Sequence, residues 1–355
     1  MGASMTKRMK MIGLVVLGLN LMACSKGTQP RSAADTPAPA TSPAPATPTP
    51  AADIPAVATT PTGGKTVKTE MRNVLFHLTD QAAARIETLT GELLATGKND
   101  MPVFDDKTSF EVRVISGKIS ITPEALASVL NSYVFARSDA PLKDLSVSIN
   151  NNRLIIKGKM HSKGDIPFQT EGTVSAAPDG RLRVHTEKVK ALHVPVKGMM
   201  GVLGIELADV VNTSKIDGLD TDKNDLLMDL GKLLPPPHIR GKVTGVSVEN
   251  NTIVTVFGDG GASLTAPKEK GNYMSFEGGP VRFGKLVMES SDLTVLDLDP
   301  ADPLDWNQGR YKDQLVAGYS KITRNFGLRA YVKDFAKLPR SSAAAATTAP
   351  PALKN

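Results

Sequence analysis

The sequence predicts an α+β fold: a long, curved antiparallel β-sheet packed on a few helices, with a signal peptide and a disordered linker ahead of it. Three observations lead there. Segments that alternate apolar and polar residues recur between turn signals from residue 110 to residue 333, the period of two that marks half-buried strands. Only a few stretches carry helical spacing. Residues 27–64 are built from Pro, Ala, Thr and Ser and hold too little apolar surface to form a core.

The N-terminus comes first. Lys7, Arg8 and Lys10 precede a short apolar run from Met11 to Leu21, and Leu21-Met22-Ala23-Cys24 closes it. A basic start, a short apolar stretch and small residues before a cysteine form a secretory leader, too short to span a membrane. Residues 1–23 are therefore expected to be removed and Cys24, the only cysteine, to become the first residue and carry acyl chains. This arrangement resembles the lipobox of bacterial lipoproteins. That resemblance implies a diacylglyceryl group plus an N-acyl group on Cys24, and Ser25 behind it implies routing to the outer membrane. The membrane is thus the expected partner, reached through acylated Cys24. Residues 24–64 form the linker, and in extended polyproline form, at about 3.1 Å per residue, it could reach on the order of 100 Å.

The folded region is expected from residue 65, as an α+β domain over 65–260 and a strand-rich extension of the same fold over 261–340, with a disordered tail at 341–355. Ala83, Ile86, Leu89 and Leu93 recur at helical spacing, so Asp80–Leu94 is expected to be a helix capped by Thr79. Phe110–Val114 alternates like a strand, and Ser116-Gly117 turns it into Lys118–Ile121. Thr122-Pro123-Glu124 starts a second helix, an N-cap followed by proline at the first helical position. Its apolar positions are Leu126, Val129, Leu130 and Tyr133. A meander follows: Leu145–Ile149, a turn at Asn150-Asn151-Asn152, Leu154–Lys159, Asp165–Val174, a turn at Pro178-Asp179-Gly180, then Leu182–His185. Gly198–Leu207 gives a Gly- and Met-rich third helix and Asp222–Leu234 a fourth, stopped by Pro235-Pro236-Pro237. Val243–Val248 and Ile253–Phe257 form a hairpin around Asn250-Asn251. Asn272–Lys333 is again rich in strands, and no repeat period emerges.

Composition excludes several classes. Beyond the leader the chain has 39 basic and 36 acidic residues and no basic run, so no nucleic-acid footprint is present. With the lone cysteine assigned to acylation, no disulfide or thiolate metal site remains. Gly63-Gly64-Lys65-Thr66 lacks the glycine a phosphate loop needs at position 59, where Thr59 stands, and no strand precedes it. Asp220-Thr221-Asp222-Lys223-Asn224 starts like a calcium loop but has Asp225 at the sixth position and Gly231 at the twelfth, so helix capping explains it better. Asp297, Asp299, Asp302 and Asp305 read as a solvated turn rather than a cation site. His77, His161, His185, His193 and His238 have no metal-ligand spacing, although His185 and His193 could meet across strands. Gly245-Val246-Ser247-Val248 ends in Glu249 and so is no nucleophile elbow. No catalytic residue, metal or cofactor is expected.

The order of elements from Thr122 to Phe257 resembles that of the small bacterial phospholipid-binding proteins of the tubular lipid-binding (TULIP-like) superfamily. The resemblance rests on Ile121-Thr122-Pro123-Glu124 opening a helix, Leu142-Lys143-Asp144-Leu145 leading into a strand, and Leu154-Ile155-Ile156-Lys157-Gly158 beginning a meander. It covers less than half the chain and does not extend past Tyr273. It implies a curved antiparallel sheet wrapped around a helix, an apolar tunnel for acyl chains and no catalytic residues. The candidate lipid groove is Leu126, Val129, Leu130, Tyr133, Ile155, Met199, Met200 and Leu203. Unbranched, polarizable methionine adapts to varied apolar partners, so the Met199–Val211 segment suits a groove or a bilayer surface as well as an ordinary core, while Glu206 and Asp209 exclude a membrane span. The expected function is an outer-membrane-anchored periplasmic lipoprotein that binds or shuttles phospholipid or fatty acyl chains without catalysis. A structural lipoprotein with a filled core, acting through protein contacts, is the alternative, and an envelope hydrolase the third reading. The sequence names no protein partner.

Overall fold

A computed structural model describes residues 66–97, 100–161, 165–191, 207, 213–262 and 267–339. Residues 1–65 and 340–355 lie outside these, as do Cys24 and the lipobox Leu21, Met22 and Ala23, and most of the Gly- and Met-rich segment, with Met199, Met200 and Leu203.

In chain order, β1 (Val67–Thr79), β2 (Ala82–Ala95) and β3 (Phe110–Ile121) form an antiparallel meander. Helix α1 (Pro123–Val129) follows and continues as a π-helical turn over Leu130–Val134. Then come β4 (Leu142–Asn150), β5 (Arg153–His161), β6 (Asp165–Ala176), β7 (Leu182–Ala191), β8 (Leu219–Asp222) and β9 (Asp225–Met228). The short helix α2 (Leu230–Leu233) leads to β10 (His238–Arg240), β11 (Val243–Glu249), β12 (Thr252–Phe257) and β13 (Tyr273–Gly278). The chain ends with β14 (Val281–Phe283), β15 (Leu286–Met288), β16 (Ser291–Asp297), β17 (Leu304–Asn307), α3 (Tyr311–Val316), β18 (Tyr319–Ile322) and β19 (Leu328–Val332).

The fold is β-rich α+β, mostly antiparallel and with few helices. Where the sequence predicts one long sheet, the described residues form two large ones and a small two-stranded one, β14-β15. The first runs β11-β12-β3-β2-β1-β13-β16-β19-β18, with β10 added to β3 and β17 to β1; the second runs β4-β5-β6-β7-β9-β8. Helix α1 divides them, because the chain leaves β3 at Ile121 and re-enters strand only at Leu142. Among the described strands three pairings are parallel: β1 with β17, β3 with β10 and β16 with β19. Every described pairing closes within Val67–Val332. Strands from both sides of residue 260 share the first sheet, since β13 pairs with β1 from Val67↔Gly278 to Arg72↔Tyr273. Asn73, at φ 52°, marks where β1 exchanges β13 for β17, a left-handed position that asparagine tolerates.

Local sequence explains one hairpin in each large sheet. Asn151 and Asn152, at φ 49° and 58°, make the tight turn between β4 and β5, and Asn250 and Asn251, at 47° and 59°, do the same between β11 and β12. Alternating side chains then face the core in register, with Val147 opposite Ile156 and Ile149 opposite Leu154.

Three expected elements differ. Asp80–Leu94 is not a helix but strand β2. Its buried residues Ala82, Ala84, Ile86, Leu89, Gly91 and Leu93 step by two except at one bulge after Ile86, where the step is three. That single extra residue turns a strand pattern into one that also fits helical spacing. Ser116-Gly117 does not turn; β3 runs straight through it. Gly117 is needed for close approach, since a Cβ there would lie 2.8 Å from the Thr88 carbonyl oxygen. Gly117→Ala is therefore expected to destabilise by about 1–3 kcal/mol. Gly245→Ala, whose Cβ would meet nothing nearer than 3.5 Å, should stay within about 0.5 kcal/mol; urea titration of both variants checks the pair. Asp222–Leu234 is not one helix. Lys223, at φ 53°, begins a turn between β8 and β9, and only Leu230–Leu233 is helical, capped by Asp229, whose Oδ1 accepts from Gly231 N at 3.0 Å.

The main core lies on the first sheet. Phe104 sits at its centre, with ring centroids 5.0 Å from Phe276, 5.1 Å from Phe283 and 5.8 Å from Phe110. Trp306 and Tyr311 pack beside them at 5.9 Å. Buried amides satisfy the backbone nearby: Gln314 Nε2 donates to the carbonyls of Asp305 (2.7 Å) and Lys333 (2.9 Å), and its Oε1 accepts from Asn307 N (2.9 Å).

Candidate functional site

The inward faces of the two sheets do not fill the space between them. On the first sheet, register brings Phe76, Ala84, Ile121 and Ile253 into one row across β1, β2, β3 and β12, and Ile86, Ile119 and Thr255 into the next. On the second, Leu145, Leu154, Ile156, Val174, Val184 and Leu226 face them. Between lies a partly open cavity with about 170 Å³ accessible to the centre of a water-sized sphere. One water needs roughly 10–15 Å³ on that measure, so the space suits an organic ligand rather than a single solvent molecule. Of its 30 lining residues, only Ser120 and Thr255 are polar, and none is ionisable. Water gains few hydrogen bonds in such a site, while each buried CH₂ contributes about 0.8 kcal/mol.

Helix α1 closes one side. The Thr122 hydroxyl caps it, accepting from Ala125 N at 3.2 Å. Helical geometry then splits its apolar residues: Leu126 and Leu130 border the cavity, whereas Ala125 and Val129 turn to Ala82 on β2. Asn131 pins the helix to β4. Its Oδ1 accepts from Leu145 N at 2.8 Å and its Nδ2 donates to the Leu145 carbonyl at 2.7 Å, next to the register shift between Lys143 and Ser146. Asn131→Ala leaves both backbone groups unpaired, and a stability loss of about 1–3 kcal/mol is expected in thermal or denaturant melts.

The candidate groove residues are thus divided. Leu126 and Leu130 border the cavity. Val129 is buried away from it, Tyr133 is 40% exposed, and Ile155 is replaced by its neighbours Leu154 and Ile156. Met199, Met200 and Leu203 lie outside the described residues; Leu207, just beyond them, is buried in the apolar cluster that borders the cavity. The sequence reading missed Ala84, Ile86 and Ile119 because it placed β2 in a helix and broke β3 with a turn.

The charged clusters are internally paired. Among the described residues, Asp299, Asp302 and Asp334 are close enough to share a cation, but Lys337 Nζ already stands 2.8, 3.3 and 2.8 Å from their carboxylates. Asp297 is buried and accepts from Asn272 Nδ2 at 2.9 Å, and its carboxyl is pushed up by that burial. Asp305 holds His77 Nε2 at 2.7 Å. His185 meets Asp225 at 2.5 Å, and His193 lies outside the described residues. Asp220 pairs with Arg181 at 2.5 Å. The Lys337 ammonium holds Asp299 below the usual carboxylate range, and a hydrogen bond from the Tyr311 hydroxyl does the same for Asp105. Both carboxylates bind protons less readily folded than unfolded, so their contribution is complete above the ordinary value near pH 4 and is lost as the pH falls below it through the lower folded values. Melting temperature is expected to drop between about pH 5 and pH 3, with a shallower slope in Lys337→Met and Asp105→Asn.

Among the described residues no helix is long and apolar enough to cross a membrane. No protein-family model, curated protein or solved structure matches this chain.

Proposed function

We propose that this protein is an outer-membrane-anchored periplasmic lipoprotein that binds or shuttles a lipid, phospholipid or fatty acyl, and catalyses no reaction. The observation that carries this reading is the apolar cavity between the two sheets. A wall with two polar residues and no ionisable one suits hydrocarbon chains and offers no group to activate a nucleophile or hold a metal. A charged headgroup would stay at the mouth. The leader and Cys24 supply the anchor in this reading, and residues 24–64 the tether that lets the domain work away from it. The tubular lipid-binding resemblance fits the same role, as a chain-binding fold between sheet and helix.

The test is native mass spectrometry with lipid extraction, on the chain from Lys65 purified without detergent. Stoichiometric phospholipid or fatty acid is the expected result. A clean apo mass with no uptake of added lipid would defeat the carrier reading in favour of a lipoprotein acting through protein contacts.

A further inference from the structure

Thr255 is the polar exception in the cavity wall. It lies on β12, opposite Ile119 of β3, on the face shared with Ile253 and Phe257. The residue is only 7% exposed, and among the described residues its hydroxyl has no hydrogen-bond partner. Ser120, the other polar lining residue, sits one position along β3 beside Val254 and Arg85, so strand alternation turns its side chain to the opposite face. Thr69, Ser275 and Ser291 carry enclosed, unpartnered hydroxyls, but none of the three lines this cavity. The Thr255 hydroxyl is not among these fully enclosed groups; it borders the cavity and is open to whatever occupies it. Water in a cavity of this size is held to the wall by one hydroxyl among apolar neighbours, so a ligand that carries both a hydrogen-bond acceptor and an alkyl chain can displace it.

We propose that the cavity takes an acyl lipid whose carbonyl oxygen accepts a hydrogen bond from the Thr255 hydroxyl, so that the site selects ester-linked chains over ether-linked chains of equal length. The inference rests on the lipid reading above and names the chemical class within it. Thr255 donates O–H to the carbonyl, the alkyl chain lies along the aliphatic wall, and the charged part of the lipid remains outside. An ether chain presents the same hydrocarbon but a much weaker acceptor, and leaves the hydroxyl unpaired.

The experiment uses the chain from Lys65, within which all described strand pairings close. Isothermal titration compares 1-palmitoyl lysophosphatidylcholine with its 1-O-hexadecyl analogue, matched in headgroup and chain length. Wild type is expected to bind the ester about fivefold more tightly, the value of one neutral hydrogen bond. Thr255→Val keeps the shape and should weaken only the ester, bringing the two affinities together. Thr255→Ser keeps the hydroxyl and should keep the preference. Thermal melts confirm that both variants fold. Equal affinities in wild type, or a preference that survives Thr255→Val, would overturn the proposal while leaving lipid binding in place. Failure of either lipid to bind would defeat the lipid reading itself, and this inference with it.

Discussion

On the proposed lipid-binding role, Ala84→Phe should abolish lipid uptake while leaving the protein folded. Ala84 is 8% exposed, lines the cavity from β2, and stands in register between Phe76 on β1 and Ile121 on β3. Its methyl group points into the space between the sheets, so a phenyl ring there occupies the volume an acyl chain would need. Co-purified lipid is expected to fall at least tenfold, equivalent to about 1.4 kcal/mol of lost binding. Stability should change by less than about 1 kcal/mol, because the ring fills a void and buries apolar surface. The same substitution in a filled core would overpack it at about 1–3 kcal/mol. Urea titration together with lipid extraction therefore separates the two architectures. A marked loss of stability, with no lipid in wild type either, would mean that the sheets meet in solid packing.

Trp306→Ala is expected to be the most destabilising single change, at about 3–5 kcal/mol. The side chain is fully buried on β17 and packs against Tyr311. Its indole Nε1–H donates to Gln308 Oε1 at 3.1 Å, and Gln308 Nε2 in turn donates to the Phe104 carbonyl at 2.8 Å. Alanine removes the largest buried ring and leaves the Gln308 carbonyl without its donor. A domain of ordinary stability, about 5–15 kcal/mol, would lose a large part of its margin. Trp306→Phe keeps most of the ring volume and should cost clearly less. Equilibrium denaturation of the two variants gives the ranking, and equal losses would show that the hydrogen bond, not the packing, dominates.

The parts legible in the sequence are those fixed by short-range geometry. Alternation and the Asn-Asn turns place β4, β5, β11 and β12 within a few residues, and Thr122-Pro123 marks the start of α1. The misread parts are those where two local patterns coincide. One bulge in β2 produces a spacing of three, and Asp222-Lys223-Asn224 carries residues equally at home in a cap or a turn. The run Leu154-Ile155-Ile156 is apolar throughout, so strand parity cannot be taken from it, and the inward pair proved to be the outer two. On α1 the apolar stripe serves two neighbours, so Leu126 and Leu130 border the cavity while Val129 does not. The remainder was hidden because it is non-local. Nothing near Val67 announces that its partner is Gly278, and the opposing strands that shape the cavity come from both sheets.

That non-locality decides how the chain reaches its native state. The first described strand, β1, lies in the interior of the larger sheet, yet two of its three described partners, β13 and β17, come from the far end of the sequence. Closing such long loops precedes the contacts that reward them, so folding is expected to be slow compared with helical domains of similar size. A chain stopped near residue 260 would hold β1 with one side unpaired, an open edge that invites association with other chains. The domain therefore commits late, only once residues near 307 are available, and until then its longest strands must be kept apart from their neighbours in solution.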